Sequence, residues 1–260
     1  MLLAADIGNT NVVLGLFDAD GRAGASLRVG TRRDATTGEI SMAVAHLCRD
    51  LPRRERSVER TVICSVVPPL TRTFAAYVQG ELGHVPVLVS AESPLGIPVA
   101  VDDPREVGAD RIVNALAART RFGFPAIVVD LGTATNFDVL DMKGRYVGGI
   151  IAPGIETSAD DLFRRAARLT KVDFTFPSRA LGANTRDCLR SGILFGAVGM
   201  IDSLVARLWE ELGGRGQCIA TGGLAPLVAP HCRTIDRVEV GLTLEGLLLA
   251  ERILRDPRGG

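Results

Sequence analysis

Asp6-Ile7-Gly8-Asn9-Thr10-Asn11 and Asp130-Leu131-Gly132-Thr133-Ala134-Thr135 decide how this chain folds. The first ends a short aliphatic run, Leu2 to Ile7, and leads into a second, Val12 to Phe17, and a third, Ala25 to Val29. The other does the same with Ala126 to Asp130, Asn136 to Asp141 and Tyr146 to Ile151. Turn formers (GNT, DADGR, LGTAT, MKGR) separate the runs, so each set predicts strands joined as antiparallel neighbours. Asp, an apolar residue, Gly and then small hydroxyl or amide residues end the first strand both times. The pattern occurs twice, which marks a duplicated unit rather than a solenoid.

Outward from these stretches the chain alternates helix and strand. Thr37 to Asp50 places Ile40, Ala43, Val44 and Leu47 at helical spacing, and Thr61 to Val67 is a β-branched run stopped by Pro68-Pro69. Leu70 to Leu82 reads as helix, Val85 to Val89 as strand, and Gly108 to Thr120 as a helix with a polar start. In the second half, Glu156 to Ala167 and Thr185 to Leu212 are helical, the latter with Gly192, Gly196 and Gly199 on one stripe that permits close packing within or between subunits. Gln217 to Thr221 is a strand ending in Gly222-Gly223, and Thr243 to Leu254 is a closing amphipathic helix. The expectation is an α/β chain of two domains in tight contact, 1–120 and 121–260, meeting near RTRFGFP (119–125), with the closing helix in the second.

The 260 residues, 47% hydrophobic and 23% charged, suffice for one large core or two modest ones without disulfides or structural metal. Thirty basic and thirty acidic residues cancel, which disfavours duplex nucleic acid or an anionic membrane as partner and leaves small anions open. Five widely spaced cysteines without a C-x-x-C argue against a zinc site and read as buried, inert side chains. The apolar run at the N-terminus is broken at Asp6, and no continuous apolar stretch approaches a membrane span. A reducing cytoplasm is the expected compartment.

A glycine turn after a strand lets backbone N–H groups approach a phosphate, and Gly8-Asn9-Thr10 is such a turn. Alone it is more often just a hairpin turn, because turn chemistry favours the same residues. The second copy favours phosphate binding, since two hairpins supply two sets of donors and each brings a carboxylate able to hold a cation. No G-x-x-x-x-G-K-[ST] or G-x-G-x-x-G follows a strand, which argues against P-loop and Rossmann chemistry.

The duplicated pattern resembles the superfamily of acetate and sugar kinases, heat-shock chaperone ATPases and actin, with two ribonuclease-H-like domains that close on ATP. Finer motifs narrow it: DIGNTN (6–11), SVVPP (65–69), PREVGADR (104–111), DLGTAT (130–135) with Phe137-Asp138, GGIIAPG (148–154), LGANT (181–185), TGG (221–223) and LTLEG (242–246). In that order along the whole chain, they make it similar to the type III pantothenate kinases. The resemblance implies ATP-dependent phosphorylation of the primary hydroxyl of pantothenate, the first step towards coenzyme A, by a cytoplasmic homodimer.

By the same resemblance Asp110 is the general base, and Gly108, Ala109, Asp110, Arg111 and Thr185 bind substrate, Thr185 near the partner subunit's pocket. Asp6, Ile7, Gly8, Asn9, Thr10, Asn11, Val12, Val13, Thr133, Gly222 and Gly223 bind ATP, with the two glycines against the adenosine. Asp6 serves Mg²⁺ and Asp130 a monovalent cation, K⁺ or NH₄⁺. Read on their own, Asp110 is a helix-start residue, Arg111 a surface ion pair, Thr185 a helix cap and the TGG segment a strand-ending turn. The chain departs from the family at Val101, where a pocket tyrosine is common, and more mildly at Asn136, where threonine is frequent. A non-catalytic regulator on the same scaffold, or a kinase or phosphatase of the superfamily acting on another small molecule, are the alternative readings.

Overall fold

In the computed structural model, which describes residues 1–52, 57–166 and 169–256, the first meander forms β1 (Leu2–Ile7), β2 (Asn11–Phe17) and β3 (Ala23–Gly30), antiparallel in sequence order. β1 also pairs in parallel with β4 (Arg60–Ser65), and β4 with β5 (Val87–Val89), giving the order β3-β2-β1-β4-β5. The second half repeats this with β6 (Ala126–Leu131), β7 (Ala134–Leu140), β8 (Tyr146–Pro153), β9 (Gln217–Thr221) and β10 (Arg237–Val238). Read from its β8 edge, that sheet is β8-β7-β6-β9-β10, the same topology. Even the register shift recurs at the same place, between Gly15 and Phe17 on β2 and between Asp138 and Leu140 on β7.

Alternation along the strands decides which face is covered. In the first sheet Leu3, Ala5, Ile7, Leu14 and Leu16 point to a core closed by α1 (Thr37–Leu47) and α2 (Pro68–Tyr77). Each fully buried aliphatic side chain of this kind contributes about 1.5–3 kcal/mol. α1 starts at a capping box in which the Glu39 N–H donates to Thr36 Oγ1 (3.3 Å) and the Thr36 N–H donates to Glu39 Oε2 (2.8 Å), an arrangement worth about 1 kcal/mol. Pro68 and Pro69, expected only to stop β4, form the first turn of α2, where a missing N–H costs nothing. In the second sheet Ile127, Val129, Leu131, Phe137 and Val139 face Ile201 and Val205 of α5 (Thr185–Leu212), beside α4 (Ile155–Arg165) and the single turn α6 (Ala225–Val228).

The described residues form two compact units, Met1–Ala117 with the chain from Leu242 onward, and Ala118–Gly241. Two expectations change. The boundary falls between Ala117 and Ala118 inside α3 (Ala109–Phe122), just ahead of the expected segment 119–125, whose first four residues end that helix. The closing helix α7 (Leu242–Arg255), expected in the second domain, belongs to the first. It packs on β1 and β4, buries Leu242 and Leu247 completely, and places Glu251, 2% exposed, against Arg60 of β4 at 3.0 and 3.1 Å. A buried carboxylate needs that partner, so the helix is tied to this sheet.

Smaller differences follow from packing. α4 ends at Arg165, and Ala167, the expected end, lies outside the described residues. Cys48, Cys64 and Cys218 are buried as expected, but Cys188 is exposed and Cys232 half-buried. α5 is by length and composition apolar enough to cross a membrane, with a window of mean hydropathy 1.5 of which 28% is buried, although no single unbroken run signalled it. Its exposed apolar side borders a groove of about 470 Å³ shared with α4.

Candidate active site

Ligands of open α/β sheets collect beyond the carboxyl ends of parallel strands. In the first unit Asp6 is the penultimate residue of β1 and stands in register with Cys64, the penultimate residue of β4. Asp6 is half-buried, and the fully buried Cys64 thiol donates to its Oδ1 at 3.3 Å. Burial pushes the Cys64 thiol well above its ordinary range, and the carboxylates of Asp6 and then Asp110 push the same way. Cys64 is therefore a neutral donor, and Asp6 and Asp110 act electrostatically on one sulfur.

Asp110 stands in the first turn of α3, which begins directly after Gly108. Its Oδ1 accepts from the Arg111 N–H at 3.0 Å and folds back over Gly108, where a Cβ would collide with it. Glycine at 108 thus makes room for the carboxylate. Burial raises the Asp110 pKa above the ordinary carboxylate value, against the opposing pull of the Arg111 N–H and guanidinium. Ala109 is buried, and Arg111 is half-buried beside them.

The turn between β1 and β2 holds Gly8, Asn9 and Thr10. Gly8 N–H donates to Asn11 O at 3.0 Å, and Thr31 ties the turn to β3 through Oγ1 to Gly8 O (2.6 Å) and N–H to Thr10 O (2.8 Å). Asn9 and Thr10 are exposed, whereas Ile7 and Val12 are buried in the core and Asn11 and Val13 are half-buried. Ile7 and Val12 therefore offer backbone and not side chains to a ligand.

In the second unit the corresponding turn is one residue shorter, Gly132-Thr133, with Gly132 N–H on Ala134 O at 3.0 Å. Thr133 is exposed, and its carbonyl accepts from Thr157 Oγ1 at 2.7 Å. Gly154, the residue before α4, backs onto the Gly132 and Thr133 carbonyls so closely that any side chain would overlap them. Asp130, half-buried, is in register with Thr221 of β9 and Asn136 of β7, so the three side chains share a face. Gly222, at φ 89°, presses on this corner: a Cβ there would lie 2.5 Å from Asp130 Oδ1 and 2.7 Å from the Leu131 backbone. Gly223 is exposed beside it. The TGG segment, expected against the adenosine, packs in this structure around Asp130.

Thr185 is exposed in the first turn of α5, and the cap it was expected to supply comes from Asn184, whose side chain accepts from the Asp187 N–H at 3.0 Å. Val101 is half-buried ahead of the Pro104–Glu106 turn.

Sequence reasoning missed two residues. Cys64 directly precedes the quoted SVVPP segment, and only the parallel pairing of β1 with β4 brings it to Asp6. Thr221 was noted for its neighbouring glycines, yet its own hydroxyl, 1% exposed and across the strand from Asp130, has no hydrogen-bond partner among the described residues. A buried hydroxyl left unpaired costs about 1–3 kcal/mol, so this corner has room in its chemistry for a ligand such as a cation. Among the described residues no group of three or more His, Cys, Asp or Glu could hold a metal ion. A single strand-end carboxylate fits a Mg²⁺ that takes its remaining ligands from phosphate and water.

Two sheets of one topology, each with a carboxylate and a glycine turn at the carboxyl end of its first strand, define a duplicated ribonuclease-H-like fold of the actin-like ATPase class. An inorganic polyphosphate/ATP-glucomannokinase from an Arthrobacter strain shares the fold over 99% of both chains, at 18% identity and TM-score 0.50. So does a Campylobacter jejuni protein described as a conserved Baf family transcriptional activator, over 98% of both chains at 18% identity and TM-score 0.60. Identities this low speak for the fold alone. The family model of type III pantothenate kinase matches residues 2–207, and the type III pantothenate kinase of Moorella thermoacetica is 44% identical over 247 residues, 95% of this chain and 97% of the relative. The chain belongs to the type III pantothenate kinase family.

Proposed function

We propose that this protein transfers the γ-phosphoryl group of ATP to the primary hydroxyl of pantothenate, the first step towards coenzyme A, in the cytoplasm. The observation that carries the reading is the hydrogen bond from the buried Cys64 thiol to the Asp6 carboxylate at the carboxyl end of β1, in the same unit that carries Asp110 at the start of α3. One carboxylate suits the metal-bound nucleotide, and the other suits the acceptor.

Asp110 accepts the hydroxyl proton as the oxygen attacks phosphorus, while the bond from the γ-phosphorus to the bridging oxygen breaks and ADP leaves with that electron pair. Gly108 and Arg111 border the acceptor, and Ala109 offers its backbone. Each unit brings its own glycine turn whose backbone N–H groups suit phosphate, Gly8-Asn9-Thr10 in the first, flanked by Ile7, Asn11, Val12 and Val13, and Gly132-Thr133 in the second, where Gly222 and Gly223 suit the nucleotide. Asp6 holds Mg²⁺, which when bound neutralises phosphate charge. Asp130, aided by Thr221, would hold K⁺ or NH₄⁺, whose charge would offset that of the phosphates.

The working form is a homodimer joined along the α4–α5 groove. Cβ atoms added at Gly192, Gly196 or Gly199 would meet nothing within 4 Å, so these glycines serve no packing inside the chain and leave α5 open to a second copy. Thr185 then approaches the partner's substrate.

ADP release measured against pantothenate, acetate, glycerol and hexoses tests the reading. Turnover with pantothenate alone is the expected result. A folded protein inert with every acceptor is a regulator, and turnover with another acceptor reassigns the substrate.

A further inference from the structure

The LTLEG segment (242–246) has no part in the chemistry above, yet it opens the one helix that returns to the first unit from the far end of the chain. Three contacts set how it seats. Thr243 Oγ1 donates to Asn114 Oδ1 at 2.8 Å, and Asn114 is 1% exposed. Gly246, buried, lies so close to α3 that a Cβ would overlap the Val113 carbonyl. Leu244 fills the space over Gly15 at the β2 register shift, where a Cβ would stand 2.7 Å from it. The first two hold α3 at Val113 and Asn114, one turn beyond Asp110, and residues four apart share a helix face.

The two helices are counterparts. Both are 14 residues long, and both follow a Val-Gly pair, Val107-Gly108 and Val240-Gly241. In that correspondence Thr243 stands where Asp110 stands, and Gly246 where Val113 stands. We infer that the duplication has divided the labour: Asp110 faces the acceptor, while Thr243, its counterpart, clamps Asn114 and so fixes the axial position and rotation of the turn that aims Asp110. Thr243, Asn114 and Gly246 are positioning residues for the proton acceptor. The inference rests on Asp110 being that acceptor. A backbone–backbone approach sets position more sharply than side-chain packing does, and displacement of a reacting group by about 1 Å costs up to about a hundredfold in rate.

Steady-state kinetics of Thr243→Val, Thr243→Ser, Asp110→Asn and Asp110→Asn/Thr243→Val test it. Thr243→Val removes the donor at constant volume and lowers kcat about tenfold, with KM for ATP unchanged. Thr243→Ser keeps the donor and restores kcat. In the Asp110→Asn background, Thr243→Val produces no further fall. Wild-type kcat in Thr243→Val beside an inactive Asp110→Asn overturns the clamp alone. Near-normal kcat in Asp110→Asn overturns the reading of Asp110 and the clamp with it. Equal losses in the Val and Ser variants, or a tenfold loss that persists in the double variant, reduce Thr243 to a packing residue.

Discussion

Asp6 and Asp130 occupy the same register of the same five-stranded topology, but their surroundings have diverged. Asp6 receives a thiol from the strand beside it, Cys64 on β4. Asp130 has Thr221 at the matching place on β9, and Gly222 packed onto its carboxylate. The turn after Asp6 has three residues and that after Asp130 two. The positions at the register shift differ as well: Gly15 admits Leu244, whereas Asp138 is buried and accepts from Tyr146 OH at 3.1 Å. A duplicated scaffold preserves strand order and burial, because these set the core. It releases the strand-end side chains to diverge, and the division proposed above gives Asp6 a small hard cation and Asp130 a large, weakly hydrated one.

If that division is right, Asp6→Ala has the largest effect. It abolishes Mg²⁺-dependent turnover and weakens Mg-ATP far more than pantothenate, as calorimetry with each ligand reads out. Equal weakening of both ligands erases the contrast between the halves.

Asp110→Asn comes next, lowering kcat about a hundredfold or more in a folded protein. The pH profile sharpens the assignment. Burial raises the Asp110 pKa, and a proton acceptor works only when deprotonated, so kcat/KM of the wild type falls as pH drops through a value above the ordinary carboxylate range. The variant loses that acid limb. An unchanged limb assigns it to another group.

Thr221→Val has the smallest effect, raising the K⁺ concentration needed for half-maximal activity several-fold while leaving KM for pantothenate alone. An unchanged K⁺ response gives the buried hydroxyl no share in the cation site.

Much of this was legible in the chain. Leu2–Ile7, Thr185–Leu212 and Gln217–Thr221 begin and end where periodicity and turn residues place them. The two meanders were legible because hairpin pairing is local, fixed by turns of two to five residues. What was hidden depends on long-range pairing. β10 is two residues long and carries no periodicity. The membership of α7 depends on Glu251 meeting Arg60, 191 positions away. Cys64 matters only once β4 lies beside β1, and Gly222 only once its positive φ brings it onto Asp130. The candidate residues themselves were readable from motifs, but not the thiol and hydroxyl that distinguish the two carboxylates.

Turnover of pantothenate in potassium-free, ammonium-free sodium buffer, compared with the same buffer after adding KCl at constant ionic strength, tests the division most directly. A cavity suited to K⁺ binds the smaller, more tightly hydrated Na⁺ poorly, so activity is expected to fall sharply in sodium, return with potassium, and stay low in both salts for Asp130→Ala. Full activity in sodium alone would contradict the assignment of Asp130 and leave the two halves without separate roles.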